Sequence, residues 1–206
     1  MQSELDIFAS AIHDAKNQLF FAESAAANLE FERGIDMSQI RGAIEQASNR
    51  LVRALAFYRV MRDGVGLSIL PVPVSSLLED GLAACQAQID GLGIDVEVNC
   101  ECHDIWPLDR DLVIDMITNA TQNAARHARQ RVKVSARVED GMLVLRVEDD
   151  GKGFATLDES EIHKRGIGLY VAQRIAALHR RRDRCGEVRL RNHGSLGGAV
   201  FELCLP

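Results

Sequence analysis

Aromatic residues are scarce in this 206-residue chain: they make up 5% of it, with one Trp and two Tyr. The core must therefore be aliphatic, and a hydrophobic share of 47% supplies one while excluding wholesale disorder. Long apolar runs are missing too. Nothing approaches the roughly 18 consecutive apolar residues that cross a bilayer. Met1-Gln2-Ser3-Glu4 lacks the basic-then-apolar order of a signal peptide, so a cytoplasmic location is expected. An excess of positive charge is absent: the net charge of −6 excludes a dedicated nucleic-acid binder. His179-Arg180-Arg181-Arg182, the one strong basic run, reads as a solvated loop. Five cysteines are an odd number for a disulfide framework and fit reduced thiols. Cys100-Glu101-Cys102-His103 has no second ligand pair at zinc spacing and reads as a strand end with incidental thiols. No internal repeat or low-complexity tract interrupts the chain.

What is present divides into two parts, as the length allows. Leu5, Phe8, Ile12, Ala15, Leu19, Ala22, Ala26 and Leu29 form a seven-residue apolar repeat. Gly34 breaks it, and Asp36 or Ser38 can cap a second helix bearing Ile40, Ile44, Ala47, Leu51, Ala54, Tyr58 and Met61. The pattern predicts an antiparallel helical hairpin over residues 1–66. Its apolar stripe calls for a second copy, giving a four-helix bundle in a homodimer. Asp63-Gly64-Val65-Gly66, with Pro71 and Pro73, marks a linker.

From 74 to 206 the periodicities mix. Helices are expected over Val74–Asp90, Leu108–Ala128 and Gly168–Leu178. Strands are expected at Ile94–Val98, Val132–Ala136, Leu143–Val147, near Val188–Leu190 and at Ala199–Leu205. The second and third of these form a hairpin across Asp140-Gly141. The fold class is α+β: the hairpin, then an α/β sandwich with helices on one face of a largely antiparallel sheet.

Four elements of the second part carry chemistry. Asn119 and Asn123, four apart, share a helix face that Arg126 and His127 extend. Such amides are either structurally satisfied or hold a cation and its phosphates. Asp149-Asp150-Gly151-Lys152-Gly153 follows a strand, and its alternate glycines let backbone approach a ligand. Gly166-Ile167-Gly168-Leu169 opens a helix whose amides suit a phosphate. Gly194-Ser195-Leu196-Gly197-Gly198 leads into the last strand.

In this order and spacing, the elements over roughly residues 75–206 resemble the GHKL ATPase superfamily, above all the catalytic domain of sensor histidine kinases. Asn119 to His127 resembles the asparagine box, Asp149 to Gly153 the first glycine box, and Gly166 to Leu169 the second. No Gly-x-x-x-x-Gly-Lys-Ser/Thr stretch occurs, so this is not a P-loop ATPase. The resemblance implies ATP as substrate, with Asp149 accepting from the adenine amino group, which guanine lacks at that position. It implies Asn123 as the Mg²⁺ ligand, with Asn119 and Arg126 at the phosphates and His127 near the base. Gly151 and Gly153 would shape the adenine pocket, and Gly166, Gly168 and Leu169 the phosphate side. Residues 155–165 would form a short lid without an obvious phenylalanine box.

His13-Asp14-Ala15-Lys16-Asn17 resembles the family's H-box, although Gln18 stands where Pro is commonest. His13 would be the nucleophile, Asp14 the orienting base, and Asn17 a positioner for water or an aspartyl phosphate. The implied partners are a second copy and a separate response-regulator receiver domain. With twelve residues ahead of His13, either the chain is part of a larger kinase or a separate sensor supplies its input. Two other readings stand beside the autokinase: a dimeric histidine phosphotransferase with a non-catalytic ATP domain, and an anti-sigma-type serine kinase.

Overall fold

The computed structural model describes residues 2–44, 47–48, 51, 67–102, 104–157 and 167–206. The chain divides into two compact units, Met1–Val65 and Gly66–Pro206.

In the first unit, α1 spans Gln2–Arg33. It stops at Gly34, whose φ of +62° and whose amide bond to the Glu30 carbonyl (3.0 Å) make a left-handed helix end. Asp36 Oδ1 then accepts from the Ser38 amide at 2.9 Å, capping α2, which is described over 38–44. Arg41 on α2 donates to Glu30 (3.0 Å) and Glu23 (3.3 Å), two turns apart on one face of α1. Such half-exposed pairs are worth at most about 1 kcal/mol each, but they lay the start of α2 beside the C-terminal half of α1. Ala26 is buried, whereas Leu29 is 43% and Ile40 51% exposed. The expected helical positions Ala54, Tyr58 and Met61, and the Asp63–Gly66 turn, lie outside the described residues.

The second unit runs β1 (Ile69–Pro73), α3 (Val74–Ala83), α4 (Gln86–Leu92), β2 (Asp95–Cys100), β3 (Ile105–Asp109), α5 (Arg110–His127), β4 (Arg131–Glu139) and β5 (Met142–Asp149). After these come α6 (Ile167–Leu178), β6 (Arg180–Arg181), β7 (Arg184–Cys185), β8 (Glu187–Asn192) and β9 (Ala199–Leu205). The main sheet has the order β2-β4-β5-β9-β8. β2 joins β4 in parallel and the remaining pairs are antiparallel, so the sheet is largely antiparallel, as expected, with one parallel pair at its edge.

The register shows how the sheet divides its faces. Leu143, Leu145 and Val147 stand opposite Leu205, Leu203 and Phe201, and α3, α5 and α6 pack on the sheet. Leu77, Ile117, Leu143 and Leu203 are fully buried in this layer. On the alternate face Arg146 stands opposite Glu202. Glu202 is wholly buried and takes hydrogen bonds from Arg146 Nε (2.7 Å) and Arg191 Nε (2.9 Å). Burial alone would raise its pKa, but the two guanidinium hydrogen bonds outweigh it and hold the carboxyl below its ordinary value.

Several boundaries depart from the sequence reading. The helix expected over Val74–Asp90 is two helices, broken at Ala84–Cys85. The helix expected from Leu108 begins at Arg110, because Leu108 and Asp109 close β3 and the Asp109 carboxylate caps α5 through the Leu112 amide (3.2 Å). Pro71 and Pro73 are not linker residues. They lie on β1, which pairs only with β3, Pro71 opposite Pro107, a two-stranded ribbon where missing amides are tolerated. His179 is not solvated: it is 2% exposed, accepting from the Asp109 amide (3.1 Å) and bonding the Ile175 carbonyl (3.0 Å). Arg180 and Arg181 of the same run form β6. Burial pushes the His179 pKa down against the opposing pull of its Ile175 bond and of Asp109. With Nε2 accepting, the neutral tautomer carries its proton on Nδ1.

Candidate nucleotide site

The site grows from the end of β5. Val147 turns into the core, and Asp149, two residues on, shares that side of the strand and is 4% exposed. Its Oδ1 accepts the Gly151 amide (2.8 Å) and the Ala199 amide (3.1 Å), while its carbonyl accepts from the Gly198 amide (3.0 Å). Oδ2 receives no hydrogen bond from a described residue. The carboxylate is thus locked by backbone through one oxygen and presents the other.

Glycine is needed around it for space. A Cβ on Gly198 would lie 2.6 Å from the Gly151 nitrogen and would collide with both Asp149 Oδ1 and the Asp149 carbonyl. One on Gly151 would lie 2.9 Å from Asp149 Oδ1 and would strike the His127 carbonyl. The last contact puts the C-terminal end of α5 directly against the glycine turn. Asp150 fastens that junction from the other side, accepting from the amides of Arg129 (2.7 Å) and Gln130 (3.1 Å). Its slight burial raises the carboxyl pKa, but hydrogen bonds from the 129–131 backbone dominate and lower it.

On α5, Asn119 is half-buried while Asn123, Arg126 and His127 are exposed, so the polar end of the helix borders the turn through Gly151. Gly153 lies in the left-handed region at φ +77°. Of the second glycine box, Gly168 and the half-buried Leu169 stand in the first turn of α6, and Gly166 lies outside the described residues, as does 158–165 of the expected lid. His13, Asp14 and Asn17 lie along α1 in the first unit, with Asp14 and Asn17 exposed.

Sequence reasoning placed the Asp149 turn and the Gly194–Gly198 segment but missed how they interlock. Glu148, 2% exposed, accepts the Ser195 amide at 2.8 Å, and Gly194 packs on its carboxylate without room for a side chain. Asn192 was missed as well: its Oδ1 accepts the Phe154 amide (2.7 Å) and its Nδ2 donates to the Phe154 carbonyl (2.9 Å). An asparagine at the end of an alternating strand carries no local signal of so distant a partner.

Residues 108–206 match the family model described as histidine kinase-, DNA gyrase B-, and HSP90-like ATPase. The chain is 24% identical over 205 residues to the sensor protein PhoQ of Escherichia coli (strain K12), covering 93% of this chain and 41% of that protein. It is 23% identical over 206 residues to the virulence sensor histidine kinase PhoQ of Salmonella typhimurium (strain LT2), with the same coverage. It therefore spans well under half the length of these relatives. Among solved structures, full-length ShkA in complex with AMPPNP aligns with a TM-score of 0.67 at 20% identity, over 99% of this chain and 45% of that one. The Acinetobacter baumannii histidine kinase AdeS aligns with a TM-score of 0.60 at 18% identity, over 92% and 95%. The family match over residues 108–206, the PhoQ relatives and the histidine kinase structures together support a sensor histidine kinase catalytic and ATP-binding core.

Proposed function

We propose that this chain is an ATP-dependent histidine autokinase of a two-component system, which phosphorylates His13 and passes the phosphoryl group to an aspartate of a separate receiver domain. The observation that carries the nucleotide half is Asp149. The carboxylate is 4% exposed and fixed through Oδ1 by two backbone amides, while among the described residues no donor reaches Oδ2. The adenine amino group supplies the donor that Oδ2 lacks. Guanine would turn a carbonyl oxygen towards it and be rejected.

Asn119, Arg126 and His127 extend the site along α5, with Gly151 and Gly153 forming its floor and Gly166, Gly168 and Leu169 its phosphate side. Asn123 fits Mg²⁺, which takes few protein oxygens and completes its shell with phosphates and water. When bound, the ion neutralises phosphate charge. ShkA, a structural neighbour, is a protein solved with AMPPNP, which supports nucleotide binding by this fold.

The phosphoryl half rests on α1. A neutral His13 ring nitrogen attacks the γ-phosphorus, forming a P–N bond as the bond to the β-phosphate oxygen breaks and ADP leaves. Asp14 holds the proton on the other ring nitrogen, and Asn17 positions water or an aspartyl phosphate for the reverse path. The expected domains of 1–66 and 74–206 fit the two units once the second is extended back to take in β1 (Ile69–Pro73). The Arg41 bonds to Glu30 and Glu23 support a helical hairpin in the first part. Exposure of Leu29 and Ile40, which belong to the apolar repeat, supports closure by a second copy into a four-helix homodimer. A cytoplasmic setting and a sensor input, from this protein's own further segments or a separate partner, complete the reading. Among the described residues no helix is long and apolar enough to cross a membrane.

Incubation with γ-labelled ATP and Mg²⁺ tests the proposal. An acid-labile, base-stable label that disappears in His13→Ala is expected. A chain that binds no nucleotide but takes phosphate on His13 from a phosphorylated receiver is instead a phosphotransferase. Acid-stable label found only on an added protein would make it a serine kinase.

A further inference from the structure

The connection from β8 to β9 reaches back to the Asp149 turn at three places. Ser195 holds Glu148, Gly198 and Ala199 hold Asp149, and Asn192 holds Phe154. The first two fix the entry of the turn, and Asn192 alone of the three holds its exit. Asn192 is the last residue of β8 and pairs with Ala199. Beyond it His193 enters the left-handed region at φ +61° and its amide returns to the Gly198 carbonyl (2.9 Å), so the backbone leaves the sheet there. The Asn192 side chain takes over. It exchanges both bonds with the Phe154 backbone, as a paired residue in an antiparallel ladder would. Gly153 sits hard against it: a Cβ there would lie 2.6 Å from Asn192 Oδ1.

Six residues, Asp149 to Phe154, are therefore pinned at both ends by one segment of the chain. We infer that Asn192 is a positioning residue of the nucleotide site, holding the Lys152–Phe154 backbone in the form that leaves Asp149 Oδ2 open to the base. It need not touch the nucleotide. The inference rests on the adenine reading of Asp149 proposed above, which assigns no role to Asn192.

Asn192→Ala removes both bonds. Asn192→Asp keeps the volume and the acceptor for the Phe154 amide, but turns a carboxylate oxygen towards the Phe154 carbonyl. Arg189→Ala, on the same strand, loses an exposed pair with Glu187 and serves as control. Calorimetric titration with ATP and Mg²⁺, hydrogen exchange at the Phe154 amide and the nucleotide-free melting temperature are measured for each. Asn192→Ala is expected to raise the ATP Kd about tenfold and to expose the Phe154 amide. Asn192→Asp should weaken ATP while leaving that amide protected, and Arg189→Ala should change neither. The split between the two Asn192 variants is what loss of fold alone would not produce. An ATP Kd in both variants within twofold of the parent, with the fold retained, overturns the inference. So does weaker binding in Asn192→Ala with the Phe154 amide still protected. If the unsubstituted chain binds no ATP, the reading of Asp149 fails and this inference with it, a result seen in the parent rather than in the variants.

Discussion

Strand β5 has a glycine-bearing turn at each end, and the two use glycine for different reasons. At its start, Asp140 and Gly141 both have positive φ (50° and 73°), as a tight hairpin turn demands. There is space around them: the nearest atom to a Cβ on Gly141 is the Arg184 Nη1 tip, 3.6 Å away. At its end, Gly151 and Gly198 have no positive φ, yet neither has room for a single carbon. The first turn needs only a dihedral angle, whereas the second needs vacant volume at Gly151 and both volume and a left-handed backbone at Gly153. Backbone crowds Asp149 because its carboxylate and carbonyl are held by the amides of Gly151, Gly198 and Ala199.

The largest expected effect breaks the contrast outright. Gly198→Ala should weaken ATP by about a hundredfold or more, near 2.7 kcal/mol, in a titration. Gly141→Ala should cost about 1 kcal/mol in chemical denaturation, through its left-handed backbone, and leave the ATP Kd unchanged. Equal effects on binding would erase the distinction between the two ends.

Next in size is the ion-paired alternate face of the sheet. Arg146→Ala leaves the wholly buried Glu202 with Arg191 as its remaining partner. Removing one partner of a buried pair costs roughly 3–5 kcal/mol. The second arginine should reduce this to about 2 kcal/mol, read by denaturation, with ATP affinity unaltered once the variant is folded.

A pH titration of stability sharpens the same division. His179 is held neutral, with its folded pKa below the ordinary 6.5. Between the two values the unfolded chain binds a proton that the folded chain does not, so stability rises with pH across that window. The contribution is complete above about pH 6.5 and is lost as pH falls towards the folded value. His179→Gln should flatten that slope in urea melts at successive pH values.

The smallest effect has the opposite sign. Thr121, fully buried on α5 between Asn119 and Asn123, has a hydroxyl without a hydrogen-bond partner among the described residues. Thr121→Val should stabilise the unit by about 1 kcal/mol, read by thermal or urea melting, without changing ATP binding. A loss of binding would instead draw that hydroxyl into the site.

Much of this was legible beforehand, and what was missed has physical causes. Strand alternation and the Asp140-Gly141 pair marked β4 and β5 because both signals are local. Asn119 and Asn123 are legible because two amides four apart share one helix face, and Asp149 because alternate glycines follow its strand. Pro71 misled because proline usually punctuates, and only the pairing of β1 with β3 shows that its missing amide is harmless there. Leu108 was assigned to α5 because it continues the helix's apolar spacing, while Asp109 capping the helix one residue later sets the true start. His179 reads as part of a solvated basic run and Asn192 carries no signal at all, because their partners, Asp109 and Phe154, lie 70 and 38 residues away. No pattern within one element reports such pairs.

The claim that Asp149 reads adenine is tested most directly by titrating the chain with ATP and with GTP, and repeating both with Asp149→Asn. ATP should bind the parent, GTP should bind at least about tenfold more weakly, and Asp149→Asn should lose ATP affinity with the fold retained by circular dichroism. Equal affinity for the two nucleotides, or undiminished ATP binding in Asp149→Asn, would contradict it.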